Sequence, residues 1–234
     1  MDTSFYTAAQ GARMRQKQMN VIANNISNIN TNGYRAKEVA FGDLMYYNMH
    51  PGNAEDWDAG AGCLIERTMD SQEQGSLVST GDQNNFAIEG SGYFMLLDSA
   101  TGEITYTRDG SFSASQRADG FYLVNNAGKL VLDKMGQPIQ IGEQGVSKDQ
   151  IGVFDFPIST GLLSKGDNEW QASAQNGQPY LITDAKVRQG CIEESNVDLA
   201  KEMAKVIESS RSYSYNLKMV QTSDEIEQAI NNLR

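Results

Sequence analysis

The chain has 234 residues with 39% hydrophobic content, enough for one ordinary domain or two small ones and a modest core. Thirty acids against nineteen bases give a net charge of −11, which excludes the basic face that neutralising nucleic-acid phosphates requires. No apolar run reaches the ~18 residues of a membrane span, and Cys63 and Cys191 stand too far apart to read a disulfide framework or a metal site.

The charge is uneven. Residues 1–37 carry Arg13, Arg15, Lys17, Arg35 and Lys37 against Asp2 alone, whereas residues 193–234 carry eight acids and five bases, so the two ends attract. The N-terminus lacks the apolar core and small-residue cleavage site of a secretory signal.

From Phe5 onward Phe5, Ala9, Ala12, Met19, Ile22, Ile26 and Ile29 fall at helical spacing and make one narrow apolar stripe. The helix runs into ANNISNINTNGYRA, residues 23–36, with asparagine at 24, 25, 28, 30 and 32. Asn32-Gly33 is expected to turn left-handed and stop it. Capping accounts for one or two of these amides; the rest are either a solvated polar face or donors and acceptors for neighbouring subunits.

Residues 34–75 are expected as an extended linker, without sustained periodicity from 43 and with an acidic stretch around Asp56, Trp57 and Asp58. Between 76 and 188 the period changes to two. Phe86–Ile88, Tyr93–Leu97, Ile104–Arg108, Ser111–Ser115, Phe121–Val124 and Lys129–Asp133 read as short strands, most of them separated by turn residues such as Asp109-Gly110. The pattern continues through Ile139–Ile141 and Ile151–Phe156, and 157–180 read as loop or irregular edge. This spacing predicts an antiparallel meander or small barrel.

In the last segment, 189–234, Leu199, Met203, Val206, Ser210, Tyr213, Leu217 and Val220 alternate four and three residues apart, and Ile226, Ile230 and Leu233 resume the stripe. Ser195 or Asn196 is the expected N-cap, with Asp198 in the first turn. The fold class expected is therefore α+β: discontinuous N- and C-terminal helices, 1–33 and 189–234, form a coiled-coil-like unit around an inserted β-rich antiparallel domain. Helices with so narrow a stripe gain little from burial alone, and partner chains supply what is missing.

No residue pattern points to catalysis or to a cofactor. His50 is the only histidine, no G-x-S-x-G is present, and the acidic run fails as a calcium loop because Arg67 stands where the last carboxylate is needed. Asn25-Ile26-Ser27 is a glycosylation sequon by pattern only, inside a helix. Tyr46, Tyr47 and Trp57 read as packing residues.

ANNISNINTNGYRAKEVAFGDLM (23–45), NNFAIEGSGYFMLLD (84–98), YTRDGSFSASQRADGFYLVNNAGKLVLD (106–133) and QGCIEESNVDLAKEMAKVIESSRSYSYNLKMVQTSDEI (189–226) resemble, in order, the signature blocks of the bacterial flagellar rod and hook proteins. Within that family the blocks look most like rod subunits, distal above proximal, and the chain is too short for the extra outer domain of a hook protein. The resemblance implies a structural subunit of the flagellar basal body and no enzyme. Such a subunit is exported unfolded by the flagellar type III apparatus without a cleaved signal, and it polymerises through its terminal helices into a tube that transmits torque. The partners implied are other copies of the chain, other rod proteins, the hook protein and the export apparatus, with no nucleic acid and no membrane insertion. It also favours the interface reading of the amides, so the expected subunit-interface residues are Ile22, Asn24, Asn25, Ile26, Asn28, Ile29, Leu199, Met203, Val206, Tyr213, Leu217 and Val220. A β-rich surface-binding module oligomerised by its helices is the competing reading.

Overall fold

A computed structural model describes residues 3–45, 47–48, 58–117, 119–142 and 145–233; Tyr46, His50, Asp56 and Trp57 lie outside them. The chain divides into two compact units. A helical unit gathers Met1–Ser27, Lys37–Ser71 and Asp198–Arg234, and a β unit gathers Asn28–Ala36 and Gln72–Val197. The expected α+β class, with helices from both ends and an antiparallel β-rich middle, is the observed one.

In the helical unit, α1 (Thr3–Ser27) packs against α2 (Leu199–Asn232). The N-cap of α2 is Asp198, not Ser195 or Asn196: its carboxylate accepts from the backbone of Ala200 at 2.9 Å and Lys201 at 3.3 Å. A carboxylate there satisfies two otherwise orphaned N–H groups and also faces the positive end of the helix dipole. Part of the segment read as linker is an antiparallel ribbon, Lys37–Asp43 with Cys63–Asp70, whose register shifts between Ala40 and Phe41. The shift breaks strict alternation, so no period of two shows in the sequence. The Arg15 guanidinium lies over the Phe41 ring at 5.1 Å, fixing α1 to the ribbon. Both cysteines are free thiols.

The β unit is built around Tyr93–Leu97, whose side chains alternate between two cores. Phe94 and Leu96 enter one with Phe86, Ile88, Phe112, Leu123 and Val131, while Tyr93 and Met95 enter the other with Tyr106, Phe154, Phe156 and Trp170. This strand pairs with Ile104–Thr107, Leu130–Val131 and Val153–Asp155, all antiparallel. Burial on both faces explains its continuous apolar run.

Residues 157–180, expected as loop or irregular edge, contain a hairpin at the end of the sheet. Leu163–Gly166 pairs with Glu169–Gln171, which in turn pairs with Ile104–Thr107 and extends the sheet. Its tight turn is Asp167-Asn168, both left-handed at φ 50° and 56°. Asp and Asn tolerate that conformation, and two consecutive left-handed residues suit the twist of a two-residue hairpin. The sequence signal was this dipeptide, obscured by short strands whose only large buried apolar residue is Trp170.

The Trp170 ring lies 5.5 Å from that of Tyr93. Trp170→Ala should therefore cost the β unit about 3–5 kcal/mol, read as a lower urea midpoint, while Tyr180→Ala at an exposed strand position should change stability by less than about 0.5 kcal/mol. Equal effects would return the segment to a loop.

Asp109 offers a second check. Its Oδ1 accepts from the Ser111 backbone N–H at 2.9 Å and the Ser111 hydroxyl at 2.7 Å, yet burial outweighs these bonds and holds its carboxyl above the ordinary value of 3.8. A folded state that keeps this proton longer than the unfolded chain loses stability as pH rises from the unfolded value through the folded one. Asp109→Asn keeps the acceptor and does not titrate. Its stability relative to the parent should climb across that window and level off above it, measured by denaturation at a series of pH values.

Candidate subunit interface

The seam between α1 and α2 has a fixed antiparallel register. Ser4 Oγ lies 3.2 Å from Ser223 Oγ, a side chain at Gly11 would stand 3.0 Å from Asn216 Nδ2, and Asn25 Nδ2 donates to Glu202 Oε2 at 3.2 Å. These contacts recur every seven residues on both helices, and the same register sets Ser209 opposite Gln18. The buried positions of α2 are therefore polar: Glu202, Ser209 and Ser223. Val206, Tyr213 and Val220 are half-buried between these layers, and on α1 the buried residues are Ala8, Ala12, Met14, Ile22 and Asn25.

Asn25 is the most heavily used residue of the seam. Its Oδ1 accepts from the Lys37 backbone N–H at 2.8 Å and its Nδ2 donates to the Lys37 carbonyl at 2.9 Å, so the amide pairs with a peptide group as a strand would. Glu202 in turn accepts from Lys205 Nζ at 2.7 Å.

The structure places the expected interface residues in different surroundings. Ile22 and Asn25 are buried inside the helical unit and do not face outward, because a two-sided amide matches the Lys37 peptide group. Asn28 and Ile29 lie past the end of α1, in a half-buried turn of the β unit where the Thr31 hydroxyl donates to Asn28 Oδ1 at 3.1 Å. Ile26 is half-buried and Asn24 is exposed. On α2, Leu199, Met203 and Leu217 are 46%, 50% and 40% exposed, joined by Ile207, which the stripe had omitted. The seam went unread because a search for apolar periodicity passes over Glu, Ser and Asn; the signal was their seven-residue spacing.

Two further features lie in the β unit. Gly33, not Asn32, is the left-handed residue after α1, with φ 65°, and a side chain there would meet the Arg108 backbone at 2.6 Å. In the same unit Glu193 is buried between two arginines: its Oε2 accepts from Arg108 Nη1 at 3.0 Å and Arg35 Nη2 lies 3.8 Å from Oε1. Burial, and then the charge of Arg35, pulls the Arg108 guanidinium below its usual value, while Glu193 opposes this. No local pattern connects three residues so far apart in the chain. Among the described residues, no group of three or more His, Cys, Asp or Glu could hold a metal ion, and no helix is long and apolar enough to cross a membrane.

The fold defines a class: a chain whose two ends pair as helices, with the larger apolar residues of α2 left outside, around an inserted antiparallel β unit. Three family models match it in order: "Flagella basal body rod protein" over residues 5–35, "Flagellar hook protein FlgE/F/G D1 domain" over 87–153, and "Flagellar basal body rod FlgEFG protein C-terminal" over 188–233. The chain is 30% identical over 264 residues to the flagellar basal-body rod protein FlgG of Buchnera aphidicola, covering all of both proteins. Against FlgG of Borreliella burgdorferi it is 32% identical over 267 residues, covering all of this chain and 99% of the relative. FlgF of Caulobacter vibrioides is 29% identical over 246 residues, 97% of this chain and 95% of the relative. The chain belongs to the bacterial flagellar basal-body rod and hook protein family. That is a family of structural proteins, not of enzymes, and its place is the flagellar basal body.

Removing the Asn25 amide leaves the half-buried Lys37 N–H and the buried Glu202 carboxylate short of a partner. Asn25→Ala should destabilise the helical unit by about 1–3 kcal/mol, although alanine is the better helix former. Asn24→Ala, at an exposed position, should cost less than Asn25→Ala. Thermal melts of the two variants followed by circular dichroism at 222 nm distinguish them.

Proposed function

We propose that the chain is a distal-rod subunit that polymerises through its terminal helices into a hollow axial tube. The tube would transmit torque and enclose the export channel, and the subunit would reach it unfolded through the type III apparatus. The observation that carries this reading is the division of α2 into two faces. The face turned to α1 is polar in its buried layers, and the large apolar residues Leu199, Met203, Ile207 and Leu217 are left exposed. Several large apolar side chains left exposed along one side of a helix point to a protein contact surface. Torque transmission follows if the helices of successive subunits interlock.

The relatives named FlgG favour the distal rod. A proximal-rod subunit is the second reading, supported by the Caulobacter relative named FlgF. Electron microscopy of purified basal bodies with a tag in the β unit separates them: label at the hook end of the rod supports the distal subunit, and label at the membrane end the proximal one. Label on a small closed oligomer instead of an open tube would favour a helix-oligomerised binding module.

Leu217→Asp puts a carboxylate on the exposed face of α2, away from the polar seam. The isolated chain should fold as before, whereas assembly should fail, because burying an unpaired carboxylate costs roughly several kcal/mol. Loss of motility with the subunit still secreted is the expected result, and a motile strain would show that this face stays in water.

A further inference from the structure

The last seam layer pairs Ser4 with Ser223, and α2 then runs on through Asp224–Asn232. Every residue of this tail is exposed, with Ile226 at 51% and Ile230 at 58%. The tail carries Asp224, Glu225 and Glu227 and no base, so it is an acidic segment with two isoleucines four apart. On α1, Tyr6, Arg13, Lys17, Asn20 and Asn24 are all exposed and follow one another at intervals of seven, four, three and four. That spacing puts them on one outer face, with an aromatic ring near one end and two cations in the middle.

Resting on the rod reading above, we propose that the acidic α2 tail of one copy docks on the Tyr6–Lys17 face of α1 in a second copy. The two surfaces are opposite in charge, and each adds apolar area to its ion pairs. Their lengths also agree: at ~1.5 Å per residue the nine-residue tail spans about 13 Å and Tyr6–Lys17 about 16 Å. The acids sit in the first turn of the tail and Ile230 beyond them. An antiparallel approach therefore sets Asp224 and Glu225 beside Arg13 and Lys17, and Ile230 toward Tyr6.

The tail cannot reach the same face of its own chain. A continuous helix carries Ile230 about 10 Å past Ser223, in the direction away from Arg13 and Lys17. The contact joins two different patches, so it is heterologous and propagates from copy to copy.

Photo-crosslinking of the assembled full-length chain tests this, with p-benzoyl-phenylalanine at position 230. The proposal expects a dimer band whose crosslinked peptide maps to residues 6–24 of the second copy. In parallel, Arg13→Glu with Lys17→Glu should raise the critical concentration for assembly at least tenfold, as should Asp224→Lys with Glu225→Lys. Mixing the two reversed chains should restore it, because the acidic tail of one meets the basic face of the other and the basic tail meets the acidic face, and the quadruple variant should recover to within about threefold of the parent. A crosslink mapping elsewhere in the polymer, or a quadruple variant as defective as either pair, overturns this contact and leaves the rod reading standing. A parent chain that stays monomeric at every concentration overturns both.

Discussion

The helical unit depends on a seam that is tight in register and poor in apolar area. Its layers, Ser4 with Ser223, Gly11 with Asn216 and Asn25 with Glu202, hold two helices together through small and polar groups. Such layers contribute little hydrophobic energy, but they penalise any slip, since a shift by one position would bury Glu202 against an unmatched partner. Register is thus specified strongly while burial is spent sparingly, and the large apolar residues Leu199, Met203, Ile207 and Leu217 of α2 stay exposed.

The same residues tie the ends of the chain to the segment between them. Asn25 reads the peptide group of Lys37 with both halves of its amide, so the ribbon begins where α1 is about to finish. Arg15 over Phe41 adds a second fixed point along that ribbon. The helical unit is therefore three segments from distant parts of the chain, and its stability cannot be assigned to either helix alone.

The β unit follows a different principle. Its central strand is buried on both faces, and its two cores carry large aromatic and aliphatic side chains. Glu193 serves this unit as Asn25 serves the other. The buried carboxylate accepts from Arg108 and from the Gly75 N–H at 3.2 Å, and it lies beside Arg35, drawing together three segments that a charge pair alone would hold poorly in water.

Most of the architecture was legible before any coordinates. Helical spacing located both terminal helices, alternation located the strands from Phe86 to Val131, and the family blocks named the class. Local periodicity suffices there because each element presents a repeating apolar face to its surroundings. The Asp167-Asn168 hairpin and the ribbon from Lys37 escaped, the first because its strands are short and polar, the second because a register shift breaks its alternation. Which amide faces inward was beyond the sequence altogether. Asn24 and Asn25 are neighbours of the same type on the same helix, one at the exposed surface and the other 1% exposed. Only the placement of Lys37 and Glu202 around one of them decides between a solvated side chain and a buried clamp, because a hydrogen bond is set by position in space and not by spacing along the chain.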